Sequence, residues 1–298
     1  MIDRKLEKLC SGIANGFLNR LIDRTDQSLF KILLRRCLKI YPFLYALYQF
    51  RIGNTRISRR LTAGHRPRSK FERNFCARIR EICDIVEQGY NAEIPGSHIC
   101  LSWNRSVLLA LHYSLPYDPA GYAIRSHFIL THFQRLGLSV LAITRPGYPW
   151  DQRKHANKTF HAEDIVEGIR YTRLDNDFNI GERPDSEYIE KYACELAQIA
   201  QAHDIPILHS ASNFLNGLAT ARAARIAGCK SIYEVRGLWH LSQAVKEPGF
   251  ENTDYFLYSE IMECAAAEEA DAVVTISELS QSVIADHLPC KRTHFLHL

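Results

Sequence analysis

Hydrophobic positions recur along this chain with two different periods, and the change from one to the other divides it. Leu6, Cys10, Ile13, Phe17 and Leu21 fall at spacings of four and three, which predicts an amphipathic helix over residues 4–22. Leu29 to Phe50 is more hydrophobic, with Arg35, Arg36 and Lys39 clustered in its middle. Gly53, Gly64 and Pro67 then interrupt Arg51 to Ser69, which reads as a loop or tether. Helical spacing returns through Phe75, Ile79, Ile82, Ile85 and Val86 and predicts a helix over 71–88. Pro95-Gly96 turns the chain into Ile99 to Trp103, a short strand or lead-in.

From Val107 onward the pattern alternates. Val107 to Leu111 is a continuous apolar run, as in a strand covered on both faces. Ala123 to Leu136 is helical, with Ile124, Phe128, Leu130 and Phe133 expected to face inward. Leu138 to Ile143 is a second strand, stopped by Arg145-Pro146-Gly147, and Gly168 to Leu174 a third, edge-like one. Asp185 to His203 reads as a helix opened by Asp185 as its cap. Strands at Ile205 to Leu208, Ser231 to Val235 and Ala272 to Ile276 alternate with helices at Asn216 to Ala227 and Asp254 to Glu269. Repeated βα units with apolar strands define an α/β protein with a single Rossmann-like parallel sheet and flanking helices. Two regions follow: a basic, mostly helical extension over 1–104 and the Rossmann-like domain over 105–298.

Charge sharpens this division. The net charge of +4 hides 19 Lys/Arg against 5 Asp/Glu in residues 1–80, and 18 against 28 in residues 81–298. Two readings of the basic block stay open: a helical cap with a solvated basic face, or a surface that docks on an anionic membrane. No helix-turn-helix, finger or RNA-binding signature supports a nucleic-acid partner. The longest apolar run, Ile40 to Phe50, lies between Lys39 and Arg51 and is too short to span a bilayer. The nine cysteines form no C-x-x-C pair, and no secretory signal opens the chain. Together these predict a cytoplasmic protein, soluble or peripheral at the inner face of a membrane.

In parallel sheets, ligands sit at the carboxyl ends of strands. The residues to examine therefore follow positions 111, 143, 208 and 235. After the first strand, Gly121 opens a helix whose free N–H groups favour anionic or hydroxyl oxygens, with Tyr122, Arg125 and His127 in its first turns. After the second, Thr144 to Asp151 is aromatic and stiff, as sugar-stacking surfaces often are. Beyond Leu208 come His209 and Asn213, and Glu234, Arg236 and Trp239 surround the end of the Ser231 to Val235 strand. His209 has two readings, a base or acceptor-hydroxyl contact and a hydrogen-bonded structural histidine. Glu234 and Arg236 either contact a ligand or pair with each other, and Trp239 either packs under the Gly237 turn or forms a sugar platform.

These loops resemble the N-terminal half of retaining glycosyltransferases of family 4, which have the GT-B fold. The matching elements are S-L-P-Y-x-x-x-G-Y-A-x-R-S-H at 114–127, T-R-P-G-Y-P-W-D at 144–151, S-N-F-L-N-G-L-A at 212–219, Y-E-V-R-G-L-W at 233–239, E-P-G-F at 247–250 and A-D-A-V-V-T-I-S-E at 270–278. They occur in the family's order over roughly 107–285 and leave residues 1–100 uncovered. The resemblance implies an acceptor-side domain, with Gly121, Tyr122, Arg125, His127, Asn213, Glu234, Arg236 and Trp239 toward the acceptor and His209 as the candidate catalytic group. It implies no metal and no cofactor, the nucleotide-sugar being a co-substrate held by a C-terminal half. That half would open after Glu278, where only twenty residues remain, so the expectation is a domain that needs a donor-binding chain, or a homodimer through its cleft face.

Some positions depart from the family. Ala211 stands where a second histidine is frequent, Ala120-Gly121 where Gly-Gly is common, and His240 where an acid is usual. The spacing Glu260-x7-Glu268 also occurs at Glu182/Glu190 and Glu187/Glu195, so it does not mark a donor site. Three functions are open: a glycosyl-transferring domain completed in trans, an inactive truncated relic, and a non-catalytic membrane- or partner-binding module.

Overall fold

A computed structural model describes residues 42–91, 104–152, 154, 159–174, 178–287 and 294–297. The helix expected over 4–22 and the lead-in at 99–103 lie outside the described residues. Two compact units divide the chain, one taking the residues up to Gly89 together with Lys246–Tyr258, the other Tyr90–Val245 with Ser259 onward.

Among the described residues, the first unit holds the helices α1 (Pro42–Arg51), α2 (Thr55–Thr62) and α3 (Lys70–Gln88). Ala46, Phe75, Ile79 and Cys83 form its core, with Phe43, Leu47, Phe50 and Leu61 packed against them. α3 starts where Ser69 accepts the N–H of Glu72 at 3.1 Å and ends at Gly89, whose φ of 81° favours glycine. α2 falls inside the stretch expected as a tether. Its buried positions, Thr55 and Ser58, are polar, so apolar periodicity could not reveal it. Instead the Ser58 hydroxyl donates to the Ala46 carbonyl at 2.8 Å, and the Arg56 N–H donates to the Asp254 carboxylate at 2.9 Å.

The second unit carries one eight-stranded sheet. Its elements are β1 (Ser106–Leu111), α4 (Gly121–Arg135), β2 (Ser139–Thr144), β3 (Glu163–Val166), β4 (Ile169–Arg173), α5 (Asp185–Ala202), β5 (Ile207–Ala211), α6 (Phe214–Ala227), β6 (Lys230–Val235), α7 (Trp239–Lys246), α8 (Asp254–Glu269), β7 (Ala272–Thr275), α9 (Glu278–His287) and β8 (His294–His297). The strand order is β3-β4-β2-β1-β5-β6-β7-β8. Every neighbouring pair is parallel except β3 with β4. This is the α/β fold read from the alternation of elements, and it matches the half of a GT-B fold that the resemblance implies.

Leu109, Leu111, Ala142 and Tyr171 pack on one face of the sheet with Leu130 of α4. On the other face, α6 approaches β6 so closely that a Cβ on Gly217 would lie 2.8 Å from both Ala266 of α8 and the Tyr233 ring. Four expectations need correction. The strand near Gly168 is not an edge, because β3 pairs outside it; β3 is four residues long and only half buried, too short for periodicity to show. α4 buries Ala123, Ser126, His127 and Leu130, while Ile124 and Phe128 are 40% and 57% exposed. Leu130 and Phe133 do pack toward the sheet as expected, but Ala123, Ser126 and His127 complete that face, small or polar positions that hydrophobicity alone does not select. Pro184, not Asp185, occupies the cap position of α5, and Asp185 is buried in the first turn. β5 runs on to Ala211, which puts His209 inside the strand and not after it.

Candidate acceptor-side edge

β5 and β6 end side by side, with Ala211 opposite Glu234 and His209 opposite Ile232. Side chains alternate along a strand, so His209 and Glu234 emerge on the same face, the one covered by α4. Glu234 is fully buried. Its carboxylate accepts from Arg236 Nη2 at 2.7 Å and from Arg125 Nε at 3.1 Å. His209 Nε2 stands 3.4 Å from the same carboxylate, at an angle that makes no hydrogen bond, so this contact is an ion pair only when the ring is protonated. Arg236 also donates to Ser126 Oγ at 2.7 Å and to the Tyr122 carbonyl at 3.1 Å, and its guanidinium lies 4.9 Å from the centre of the Tyr122 ring.

Electrostatics follow from this packing. Burial alone would raise the Glu234 carboxyl, but His209, Arg236 and their charges outweigh it and hold the group at about 2. Glu234 is thus a fixed anion that orients two guanidiniums. Arg236 is buried, while the Arg125 side chain is 40% exposed. Two cations on one carboxylate leave the cluster net positive, and Arg125 carries that charge to solvent beside the open start of α4. At that start, a Cβ on Gly121 would meet no protein atom within 4 Å. Burial, opposed by the Arg236 charge, pushes the Tyr122 hydroxyl up to about 12. That hydroxyl accepts the N–H of His112 at 3.0 Å.

Other sequence candidates are placed differently. His127 faces away from the cluster, bonding Tyr171 Oη at 2.9 Å and Glu167 at 3.1 Å beneath α4. Asn213 precedes α6 at its cap position, and its buried Oδ1 has no partner among the described residues. Trp239 opens α7 and is 48% exposed. The 144–151 loop is not a stacking surface at its centre. Tyr148 is fully buried, its hydroxyl donating to Asp118 at 2.9 Å, and buried Arg145 binds Asp151 through two bonds of 2.6 and 3.1 Å. These residues brace the loop, and half-buried Trp150 keeps aromatic surface there.

One buried group escaped the sequence. Glu263 of α8 accepts the Phe214 N–H at 3.1 Å and the Tyr233 hydroxyl at 2.5 Å, so it caps α6 from another helix. Burial pushes its carboxyl up to about 7, although both bonds favour the charged form. A lone Glu in a helix carries no signal of such a role. Among the described residues, no three His, Cys, Asp or Glu side chains are grouped to hold a metal ion.

Fold and edge together define a Rossmann-like domain with a cationic, glutamate-centred cluster at the carboxyl ends of its strands. Residues 120–297 match the glycosyl transferase 4-like domain, and the chain belongs to that family. Among solved structures it is similar to a sucrose-phosphate synthase from Thermosynechococcus elongatus, at 12% identity over 64% of this chain and 87% of that one, with a TM-score of 0.42. It is similar to Acinetobacter baumannii MurG at 12% identity, over 64% of this chain and 44% of that one, with a TM-score of 0.37. Similarity to an α,α-trehalose 6-phosphate synthase from Burkholderia multivorans covers 63% of this chain and 43% of that one, at 10% identity and a TM-score of 0.36. The chain thus spans less than half of the last two proteins. No curated protein sequence matches it.

Proposed function

We propose that the second unit is the acceptor-side half of an enzyme that transfers a hexosyl group from a nucleotide-sugar, and that a separate donor-binding domain completes the site. The observation that carries this reading is the cluster of Arg125, His209, Glu234 and Arg236 at the carboxyl edge of a family 4-like sheet. Arg125 and the N–H groups opening α4 bind acceptor oxygens, and Arg236 and Glu234 hold Arg125 in place. His209 lies 3.4 Å from the Glu234 carboxylate and is the imidazole of the cluster, the group type that takes a proton from an acceptor hydroxyl. Tyr122, Asn213 and Trp239 line the same edge as acceptor contacts. We also propose that the protein works as a peripheral protein at a membrane face; among the described residues, no helix is long and apolar enough to cross one.

Calorimetry with the purified chain tests the catalytic part. The expected result is no binding across a nucleotide-sugar panel, together with binding of sugar-phosphate or glycoside acceptors that Arg125→Ala weakens about tenfold, the loss of one charge-assisted contact. Nucleotide-sugar binding with turnover by this chain alone would overturn the division into halves. Acceptor binding unchanged by Arg125→Ala would remove the cluster from the site.

A further inference from the structure

The basic residues between 51 and 80 do not share one environment. On α2, two charges are paired: Arg56 meets Asp254 at the start of α8 at 3.1 Å, and Arg59 meets Asp84 at 2.9 Å and Glu87 at 3.3 Å near the end of α3. The turn joining α2 to α3 is the opposite case. Arg60, Arg66, Arg68, Lys70 and Arg73 are all exposed there, and Glu72 is the one carboxylate among them, feeling the charge of Arg68 and accepting its backbone N–H. The one acid in this stretch, Glu72, is committed internally. It accepts the Arg68 N–H and contacts His65 Nε2, both at 2.8 Å, and these bonds hold its carboxyl below the ordinary range in spite of partial burial. Five exposed cationic side chains therefore surround one turn that holds a single carboxylate.

An apolar group sits among them. Phe71 is 37% exposed, yet it is anchored, with its ring stacked 6.2 Å from Phe75 and edge-on to Phe43 at 6.5 Å. Phe43 in turn stacks on His65 at 4.6 Å, which fixes the turn from below. A rigid aromatic ring flanked by flexible cations suits a planar interface with an apolar interior and an anionic surface. The ring enters the headgroup region while the guanidinium and ammonium groups stay at the phosphates.

From this we infer that the α2–α3 turn, with Arg60, Arg66, Arg68, Lys70 and Arg73 around Phe71, docks the protein on an anionic lipid bilayer. The inference rests on the peripheral reading above and is independent of the catalytic one. Nucleic acid offers phosphates too, but single-strand binding uses several aromatic platforms in series along a groove, and this turn exposes one ring. The attraction is electrostatic and additive over the five cations, so it falls with ionic strength.

Vesicle sedimentation of the full chain tests it, with vesicles of phosphatidylcholine alone and of phosphatidylcholine with phosphatidylglycerol. The expected result is binding to the mixed vesicles only, lost as salt is raised. The triple variant Arg66→Glu/Lys70→Glu/Arg73→Glu should bind them at least about tenfold more weakly with an unchanged melting temperature, since all three side chains are exposed. Phe71→Ser should weaken binding several-fold, and Arg135→Glu, an exposed charge reversal on α4, should change it little. Anionic binding that survives the triple variant would overturn this surface and leave the peripheral reading standing. Equal binding to neutral vesicles would overturn the electrostatic part, and binding to neither would overturn both. Homopolymeric RNA displacing the protein from mixed vesicles through this same turn would make nucleic acid the partner instead.

Discussion

Glu234 and Arg236, two residues apart at the end of β6, meet through a 2.7 Å charge-assisted bond with the carboxylate fully buried. Arg125 joins the same carboxylate from α4, 109 positions away in the chain. Removing the anion leaves Arg236 buried against a neutral group, so Glu234→Gln should destabilise the fold by about 3 kcal/mol. Because the folded carboxyl is depressed to about 2 from 4.5, its contribution is present above pH 4.5 and fades as pH falls through 2. Thermal melts of the variant and the parent should differ at pH 7 and converge toward pH 2. Arg125→Ala, at a half-exposed side chain, should cost less than about 1 kcal/mol. Equal losses for the two would show that Glu234 is not the hub.

Glu263 has the opposite sign. Its folded carboxyl is raised to about 7, so the folded protein binds the extra proton between pH 4.5 and 7 and loses stability as pH rises through that window. The penalty is on the order of 3 kcal/mol when the window has been crossed. Glu263→Gln retains an oxygen for the Phe214 N–H and cannot ionise. It should melt higher than the parent at pH 8 and no higher at pH 4.5. A parent and variant with parallel stability profiles from pH 4.5 to 8 would show that Glu263 ionises without cost.

Two glycines should separate packing from ligand approach. A Cβ on Gly217 collides at 2.8 Å with Ala266 and the Tyr233 ring, so Gly217→Ala should cost about 1–3 kcal/mol. Gly121 has open space around it, and Gly121→Ala in the first turn of α4 should leave the melting temperature unchanged. If the start of α4 receives an acceptor, the second variant should nevertheless weaken acceptor binding in calorimetry.

Asp151 matters only through Arg145. Their two-pronged contact lies in a loop where Arg145 is 3% exposed, so Asp151→Ala strands a buried cation and should cost about 3 kcal/mol. Urea denaturation checks this. A cost below about 1 kcal/mol would place the pair among ordinary surface contacts.

Much of the fold was legible because its signals are local. α3, α8, β1 and β6 fall within a residue or so of where periodicity put them. Two of the elements missed share a physical cause: α2 buries Thr55 and Ser58, and β3 is short and half exposed, so neither shows an apolar period. α7 follows β6 directly and was read as part of its loop. The loops after β1, β2, β5 and β6 gather at one edge because these strands run parallel.

The sequence by itself determined the α/β alternation, the family motifs and the separation of a basic block from an acidic remainder, because each is written in residues that are near neighbours. Only tertiary structure decided which of those residues meet. Register placed His209 beside Glu234, and α4 brought Arg125 to them while turning His127 toward Tyr171. It also buried Tyr148, which composition had offered as a sugar surface, and sent Glu263 across to cap α6. Side-chain pairing depends on strand order, crossover and helix rotation, and these are set by the burial of the whole sheet, not by any one segment.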